Sequence, residues 1–188
     1  MPEKKVVPKR IVLGSGSLYR LDYTGELPEH DVICVEENRF SFVKGGAAVE
    51  YTPTPYTAQD DLGRVKKRIL TVEDAKLKTG AMTIDASVLD ALIDTARVDS
   101  KVPGKTTVLI GGIGNAKNKE CAWCFHHEDS KDGDIYVTIR GVNEAGFTLS
   151  FNKEQESIID AELTCMPQDN DVTLIRVEFM DPATESIG

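Results

Sequence analysis

The side chains best suited to chemistry lie in one short segment, residues 121–127, with the sequence CAWCFHH. Two thiols and two imidazoles are ligand types that zinc prefers. The flanking sequence is typical of a strand, however, and neighbouring side chains of a strand alternate between its two faces. Cys121 and His127 would then lie on one face, with Cys124 and His126 on the other. We therefore expect buried strand cysteines, and a small zinc-binding β module that uses these four residues is an alternative.

The other motifs that could carry chemistry are incomplete. The glycine runs at 14–17 and 111–114 lack the Lys-Ser/Thr pair and the following helix of a phosphate-binding loop. We expect them, and Gly45-Gly46, to form bulges or points where another backbone approaches closely. The sequence has three histidines and contains neither a G-x-S-x-G nor an H-E-x-x-H motif. These observations predict a protein that is not an enzyme and uses no cofactor.

Short strands with one buried face are predicted for most of the C-terminal half. Ile135, Val137 and Ile139 alternate with the residues between them, which is the period of a strand that buries one face. Asp132-Gly133 is a hairpin signal just before this segment. The expected strands are 107–110, 120–127, 135–140, 147–151, 159–165 and 175–179. An antiparallel sheet of this kind must bury its apolar face against a second layer.

One segment of the N-terminal half has the pattern of a helix, residues 86–97. Asp85 or Ser87 can cap its N-terminus, and its apolar residues fall on one face. Those residues are Val88, Leu89, Leu92, Ile93 and Ala96. The whole sequence predicts a mainly β protein, with two packed antiparallel sheets in a β-sandwich or barrel, one flanking α-helix and an extended loop.

The extended loop is expected at residues 52–62. Its prolines disfavour a central strand, and its length exceeds that of an ordinary hairpin loop. We expect this segment to project from the body, with Tyr56 and Leu62 as side chains suited to docking on a neighbouring molecule. A mobile surface loop without a partner is the alternative.

Length and composition restrict the function classes that remain. The chain has 188 residues, a net charge of −9 and four cysteines, which fits one globular domain with reduced thiols in a cytoplasmic setting. Its uncharged stretches fall short of the ~20 apolar residues that cross a bilayer, and residues 1–10 lack the apolar run of a secretion signal. Sequence-specific DNA binding is disfavoured because the chain offers no dominant basic surface. Basic and acidic segments alternate along the chain, which suits copies that meet head to tail.

Nine short motifs, in order along roughly residues 11–180, resemble the major tail tube proteins of long-tailed bacteriophages and related prophage elements. Each motif is weak alone, and the ordered set is more specific than any one of them. The motifs are GSGSLY (14–19), KGGAAVEY (44–51), DDLG (60–63), KTG (78–80), DTARV (94–98), IGGIGN (110–115), DGD (132–134), AGFTLSF (145–151) and IDAE (159–162).

The resemblance implies a structural protein that forms hexameric rings, which stack into a hollow tube. In that family, one sheet of each subunit joins its neighbours around the lumen. Residues 1–10 would be an N-terminal arm, 11–180 the tail-tube β-sandwich domain, 52–62 the ring-stacking loop and 181–188 a C-terminal tail. The implied contacts between subunits and rings are Lys44, Gly45, Gly46, Tyr51, Tyr56, Asp60, Asp61 and Leu62.

The resemblance also implies partners and a location. The partners would be other copies of the chain, a tape measure protein, a tail terminator and distal tail or baseplate proteins, with no membrane. The protein would be made in the cytoplasm of a bacterial host and reside in the virion tail. DNA would pass through the lumen without specific binding, which agrees with the net charge of −9. A monomeric β-sandwich that binds a ligand is a further alternative, and it predicts a folded monomer that does not self-associate.

Overall fold

The computed structural model of the protein describes residues 16–64, 66–149, 151 and 158–182. The expected arm at 1–10 and residues 183–188 of the expected tail lie outside this part. The described residues contain nine strands and two α-helices. These are β1 Ser17–Asp22, α1 His30–Ile33, β2 Arg39–Gln59, β3 Lys66–Ala81, α2 Ala86–Leu92, β4 Arg97–Val102, β5 Lys105–Leu109, β6 Cys121–His127, β7 Ile135–Asn143, β8 Ile159–Met166 and β9 Arg176–Phe179. The prediction of a mainly β fold is confirmed.

Six of the strands close on themselves into an antiparallel barrel. Their order is β6-β1-β2-β3-β8-β7, and β7 also pairs with β6 to complete the ring. β9 pairs with residues 135–138 of β7, while β8 pairs with residues 140–143. The two packed layers expected from the sequence are therefore opposite walls of one closed sheet. β4 and β5 form a separate hairpin.

The inside of the barrel holds the main hydrophobic core, which takes every second residue of a strand. β8 shows this most clearly, because its alternate residues are buried and those between them are more exposed. The buried residues of β8 are Ile159, Ala161, Leu163 and Cys165. The period of two that the sequence shows in this strand is thus a consequence of which face meets the core.

The helix α2 packs against this core, but it is shorter than the sequence predicts. It ends at Leu92 and not at residue 97, because Ile93 is already extended, with φ −114° and ψ 113°. The Nδ2 of Asn143 donates a hydrogen bond to the carbonyl of Leu92 at 3.0 Å, which satisfies one backbone group at the helix end. The predicted apolar face does meet the core, through Val88, Leu89, Leu92 and Ile93.

Asp85, one of the two caps that the sequence allows, caps the N-terminus of α2. Its Oδ1 accepts hydrogen bonds from the hydroxyl of Ser87 at 2.6 Å and from the backbone N–H of Val88 at 2.9 Å. These two bonds, the hydroxyl first, hold the pKa of Asp85 below its usual value. We expect Asp85→Ala to lower the free energy of unfolding by about 1 kcal/mol at pH 7, as measured by urea denaturation.

The pH dependence of this cap follows from the lowered pKa. Stability from a carboxyl whose pKa is lower in the folded state is present above its unfolded pKa and is lost as the pH falls through its folded pKa. The stability difference between the native protein and Asp85→Asn should therefore shrink below about pH 4. A difference that is the same at pH 7 and pH 3 would contradict this explanation.

A second, smaller apolar cluster lies outside the barrel. Tyr19 of β1 and Ala122 and Cys124 of β6 contribute to it, and Leu27 and Ile33 pack on them from the segment around α1. β6 is therefore buried on both of its faces. The predicted alternation of β6 is confirmed, and α1, which the sequence analysis did not predict, supplies the outer cover.

The prediction of a strand at residues 147–151 is wrong. Among the described residues of this segment, 147–149 and 151 are not in strands. Gly146 has a φ of 75°, and its carbonyl accepts a hydrogen bond from the Nδ2 of Asn143 at 2.8 Å. This local turn directs the chain away from β7 just where the strand would begin. Phe147 and Leu149 still pack against the core, so their apolar spacing reflects burial rather than pairing.

Candidate functional site: a projecting two-stranded ribbon

The most distinctive feature of the molecule is a two-stranded ribbon that leaves the barrel. β2 and β3 pair as far as Gln59 and Lys66. β1 pairs with β2 only as far as Phe42, and β8 pairs with β3 only from Lys76 onward. In the ribbon, defined here as residues 51–59 and 66–75, each strand has the other as its only strand partner among the described residues. At about 3.4 Å per residue, the ribbon is about 30 Å long.

The ribbon corrects the prediction of a loop at residues 52–62. Residues 52–59 are strand, and the turn is confined to 60–63, where the N–H of Gly63 donates to the carbonyl of Asp60 at 2.9 Å. Prolines fit because β2 is an edge strand here, and a proline on an edge can direct its missing donor away from the ladder. The prediction that the segment projects is confirmed, since residues 52–59, 61 and 62 are exposed.

Apolar side chains cover both faces of the ribbon. Tyr56 and Ile69 are cross-strand partners. Val72 lies on the same face because a register shift of one residue pairs it with Thr54, two residues before Tyr56. Tyr51 and Leu70 lie on the opposite face. Each of these five side chains is 47–59% exposed. Large apolar side chains that are clustered and exposed mark a surface that another molecule covers.

Two glycines form a bulge at the base of the ribbon. Gly45 and Gly46 have φ angles of 81° and 77°, and the register of β2 against β3 shifts between Lys44 and Ala47. The bulge expected at this pair is confirmed. Because a bulge bends and twists its strand, these residues help to set the direction in which the ribbon leaves the barrel.

A side chain at Gly45 should destabilise the protein even though there is space for it. A Cβ built there meets no atom within 4 Å, so the cost of Gly45→Ala is conformational, and we expect it to be about 1–2 kcal/mol. Gly114 is a matched control, because it is equally open and lacks a positive φ. Urea denaturation of both variants measures the difference, and equal stabilities would contradict the assigned backbone conformation.

The ribbon has an uneven distribution of charge. Lys66, Lys67 and Arg68 are consecutive exposed residues next to its tip, whereas Glu73 and Asp74 lie nearer its base. The whole chain carries a net charge of −9, so this basic cluster stands out from an acidic protein. A basic tip and an acidic body are complementary when two copies meet.

The predicted contact residues fall into two groups, and the first lies along the ribbon and at its tip. Leu62 is 70% exposed in the turn, and Asp61 beside it is exposed as well. Asp60 forms an ion pair with Arg64 at 3.3 Å, which braces the turn. Tyr51, nearer the base, donates a hydrogen bond from its hydroxyl to the carboxylate of Glu73. Tyr56 also belongs to this group, and it lies on the same apolar face as Ile69.

The second group, Lys44, Gly45 and Gly46, lies in a groove of about 530 Å³ at the base of the ribbon. Residues 145–148, 158 and 160–162 also line this groove. On β3, the Nζ of Lys78 lies 2.9 Å from a carboxylate oxygen of Glu50. The structure therefore separates the predicted contacts into a tip and a base instead of bringing them together at one point.

The possible zinc ligands are not brought together either. Cys121 belongs to the main core inside the barrel, whereas Cys124 belongs to the outer cluster. The Nε2 of His126 lies 2.9 Å from a carboxylate oxygen of Asp134, and its ring stacks on Tyr136 at 4.3 Å. His127 is buried. The side chains of β6 thus alternate between the two faces of the strand, which is the geometry that led the sequence analysis to disfavour one shared ion.

A different group of possible ligands lies at Glu29, His30 and Glu178, whose potential ligand atoms are within 4.8 Å of one another. Arg176 already occupies this cluster. Its guanidinium lies 3.3 Å from a carboxylate oxygen of Glu29 and 3.4 Å from one of Glu178. The positive charge of the guanidinium offsets the negative charge of the two carboxylates, which would otherwise attract a cation. We therefore assign this cluster a structural role rather than metal binding.

Comparisons with known proteins add no family to these observations. No model of a known protein family matches the chain, and no curated protein matches it. Within the part of the chain that the structure describes, no helix has the length and apolar character needed to cross a membrane. The geometry of the ribbon is therefore the main structural guide to function.

Sequence analysis missed half of the ribbon surface. The sequence gives no indication that Ile69, Leu70 and Val72 of β3 are exposed. Their sequence signal is ambiguous, because adjacent apolar residues in a strand usually indicate that both faces are buried. The exposure follows from the length of β2, which carries its partner strand beyond the barrel.

Proposed function

We propose that this chain is a structural subunit that assembles with copies of itself into hexameric rings, and that the rings stack into the tail tube of a long-tailed bacteriophage or a related particle. The observation that carries the proposal is the ribbon, with apolar side chains on both faces. The ordered resemblance of the sequence motifs to tail tube proteins supplies the kind of assembly.

A ribbon of this kind has a physical need for a partner. Two strands alone are marginally stable in water, and a free strand edge readily pairs with another chain. Burial of the exposed side chains between neighbouring copies removes about 25 cal/mol of unfavourable free energy for each Å² of apolar surface covered. Self-assembly satisfies both faces of the ribbon at once, which one small ligand does not.

The closed barrel restricts where copies can pair. The strands of the barrel already pair with one another inside the subunit. We therefore place the pairing between copies at the ribbon, rather than along a complete sheet of the body as the resemblance alone implies. In this arrangement the tip of one ribbon, with Leu62 and the basic residues of β3, docks on an acidic neighbouring copy.

The charge of the chain agrees with a conduit for DNA. An acidic protein repels the phosphate backbone and releases few counterions on contact, so DNA can move past without being captured. A tape measure protein, a tail terminator and distal tail or baseplate proteins are the further partners in this proposal, and the virion tail is the location.

Electron microscopy of the native protein tests the proposal. Negative-stain images of concentrated protein should show six-membered rings or stacked tubes, and sedimentation velocity should show a mass that rises with concentration. A folded monomer at every concentration would overturn the proposal and favour the ligand-binding alternative. Stoichiometric zinc in the purified monomer would favour the metal module instead.

A further inference from the structure

Two cysteines that lie far apart in the sequence meet in the outer cluster. The Sγ atoms of Cys34 and Cys124 are 3.2 Å apart, although the residues are 90 positions apart. Cys34 is the C-cap residue of α1 and is partly exposed, whereas Cys124 is fully buried in β6. A disulfide bond is about 2.05 Å long, so the two sulfurs need to approach by only about 1.2 Å.

The pair is separated from the other two cysteines. Cys121 and Cys165 are both free thiols in the main core inside the barrel. Cys34 and Cys124 belong to the outer cluster, on the other side of the sheet. Neither core cysteine can therefore compete for this partner without unfolding of the barrel.

The hydrogen bonds around the pair determine which of the two sulfurs carries the proton. The thiol of Cys34 donates to the sulfur of Cys124, and the hydroxyl of Thr138 donates to the same sulfur at 3.4 Å. The bond from Cys34, with the one from Thr138, lowers the pKa of Cys124 in spite of its burial. The same bond, with burial, raises the pKa of Cys34. The buried sulfur is thus the preferred thiolate, and the partly exposed sulfur carries the proton.

We propose that Cys34 and Cys124 are a thiol oxidation site, which forms a disulfide within the subunit when it meets a small disulfide oxidant such as oxidised glutathione. The inference goes beyond the proposed function and does not depend on assembly. It rests on the distance between the two sulfurs and on the accessibility of one of them.

The reaction takes two thiol–disulfide exchange steps. A proton moves from Cys34 to the thiolate of Cys124, and the thiolate of Cys34 attacks one sulfur of oxidised glutathione. A mixed disulfide forms, the sulfur–sulfur bond of the oxidant breaks, and one glutathione leaves as a thiolate that takes up a proton from solvent. The sulfur of Cys124, after loss of its proton, attacks the Cys34 sulfur and releases the second glutathione. The two cysteines lose two electrons and the oxidant gains them. The proton of the Cys34 thiol ends, by way of Cys124, on the second glutathione, and the proton on the first comes from solvent.

The cross-link would tie the α1 segment to β6 and stabilise the subunit. A bond that closes a loop of this length reduces the entropy of the unfolded chain and is expected to raise the midpoint temperature of unfolding by about 10 °C. We infer that it forms after the protein leaves a reducing cytoplasm, and that timing rests on the proposed function. The chemistry itself is tested on dilute protein, so its failure and a failure to assemble are distinguishable.

The experiment treats the reduced full-length protein with oxidised glutathione. Two of the four thiols should disappear in a thiol assay of the denatured product, and mass spectrometry of a non-reduced digest should find the peptide of Cys34 joined to that of Cys124. The midpoint temperature should rise and should return to its original value with dithiothreitol. Four remaining thiols, or a stable glutathione adduct on Cys34, would overturn the proposal.

Two variants make the result specific. Cys34→Ser should keep the fold, because the side chain is partly exposed, and it should abolish both the cross-link and the rise in midpoint temperature. Cys165→Ser removes a thiol on the other side of the sheet and should leave the cross-link intact. A cross-link that persists in Cys34→Ser, or one that is lost in a folded Cys165→Ser variant, would assign the chemistry to other residues.

Discussion

Replacing both Tyr56 and Ile69 with serine should prevent rings and tubes from forming at the concentrations at which the native protein assembles, and should leave a folded monomer. The two residues are cross-strand partners on one exposed face of the ribbon. In an interface, removal of two central apolar side chains commonly costs about 3 kcal/mol in total. The concentration needed for half-assembly should therefore rise by about 100-fold. Sedimentation velocity over a concentration series measures this value, and negative-stain images show whether rings remain.

The same double variant should have nearly unchanged stability as a monomer. The two side chains are 59% and 47% exposed, so their loss removes little buried area, and only the cross-strand contact of up to about 1 kcal/mol is lost. A matched control is Val102→Ser with Leu109→Ser, which removes apolar side chains of 59% and 46% exposure from the separate β4–β5 hairpin. Assembly of the Tyr56 and Ile69 variant at native concentrations would contradict the role given to the ribbon.

Replacing Trp123 with alanine should cause the largest loss of stability among the variants considered. The indole is 1% exposed inside the barrel, and its ring meets that of Phe40 edge-on at 5.0 Å. Its Nε1 donates a hydrogen bond to the carbonyl of Gly141 at 3.2 Å. Loss of the ring leaves a cavity that the closed sheet cannot collapse to fill. We expect a decrease of about 3–5 kcal/mol in the free energy of unfolding.

Circular dichroism during urea denaturation measures this effect, since the variant lacks the only tryptophan of the chain. Trp123→Phe is the control, because it keeps an aromatic ring in the core and loses the bond to Gly141. Its loss of stability should be clearly smaller than that of Trp123→Ala. If the alanine variant lost less than about 1 kcal/mol, the packing of the core around this residue would have to be different.

Several local features of the fold could be predicted from the sequence because neighbouring residues determine them. The alternation in β8 requires only that one face of the strand be buried. The cap at Asp85 requires an oxygen within reach of an N–H three residues later. The bulge at Gly45 and Gly46 requires residues that accept a positive φ. Each depends on contacts within a few positions.

The candidate site was only partly predictable for the same reason. Tyr56 and Leu62 were expected to project, and they do. Residues 52–59 are strand because they pair with β3. Their prolines made the local sequence pattern indicate a loop instead. The exposure of Ile69 depends on where the barrel ends, and a few neighbouring residues in the sequence do not determine that position.

The sequence by itself determined the mainly β class, the positions of most C-terminal strands and the acidic charge of the protein. Only the tertiary structure decided that β6 and β7 close the sheet, that α2 stops at Leu92 and that Cys34 meets Cys124. Local patterns express the conformational preferences of a few adjacent residues. Closure of the sheet and the cysteine pair instead depend on the free energy of contacts between segments that lie far apart in the chain.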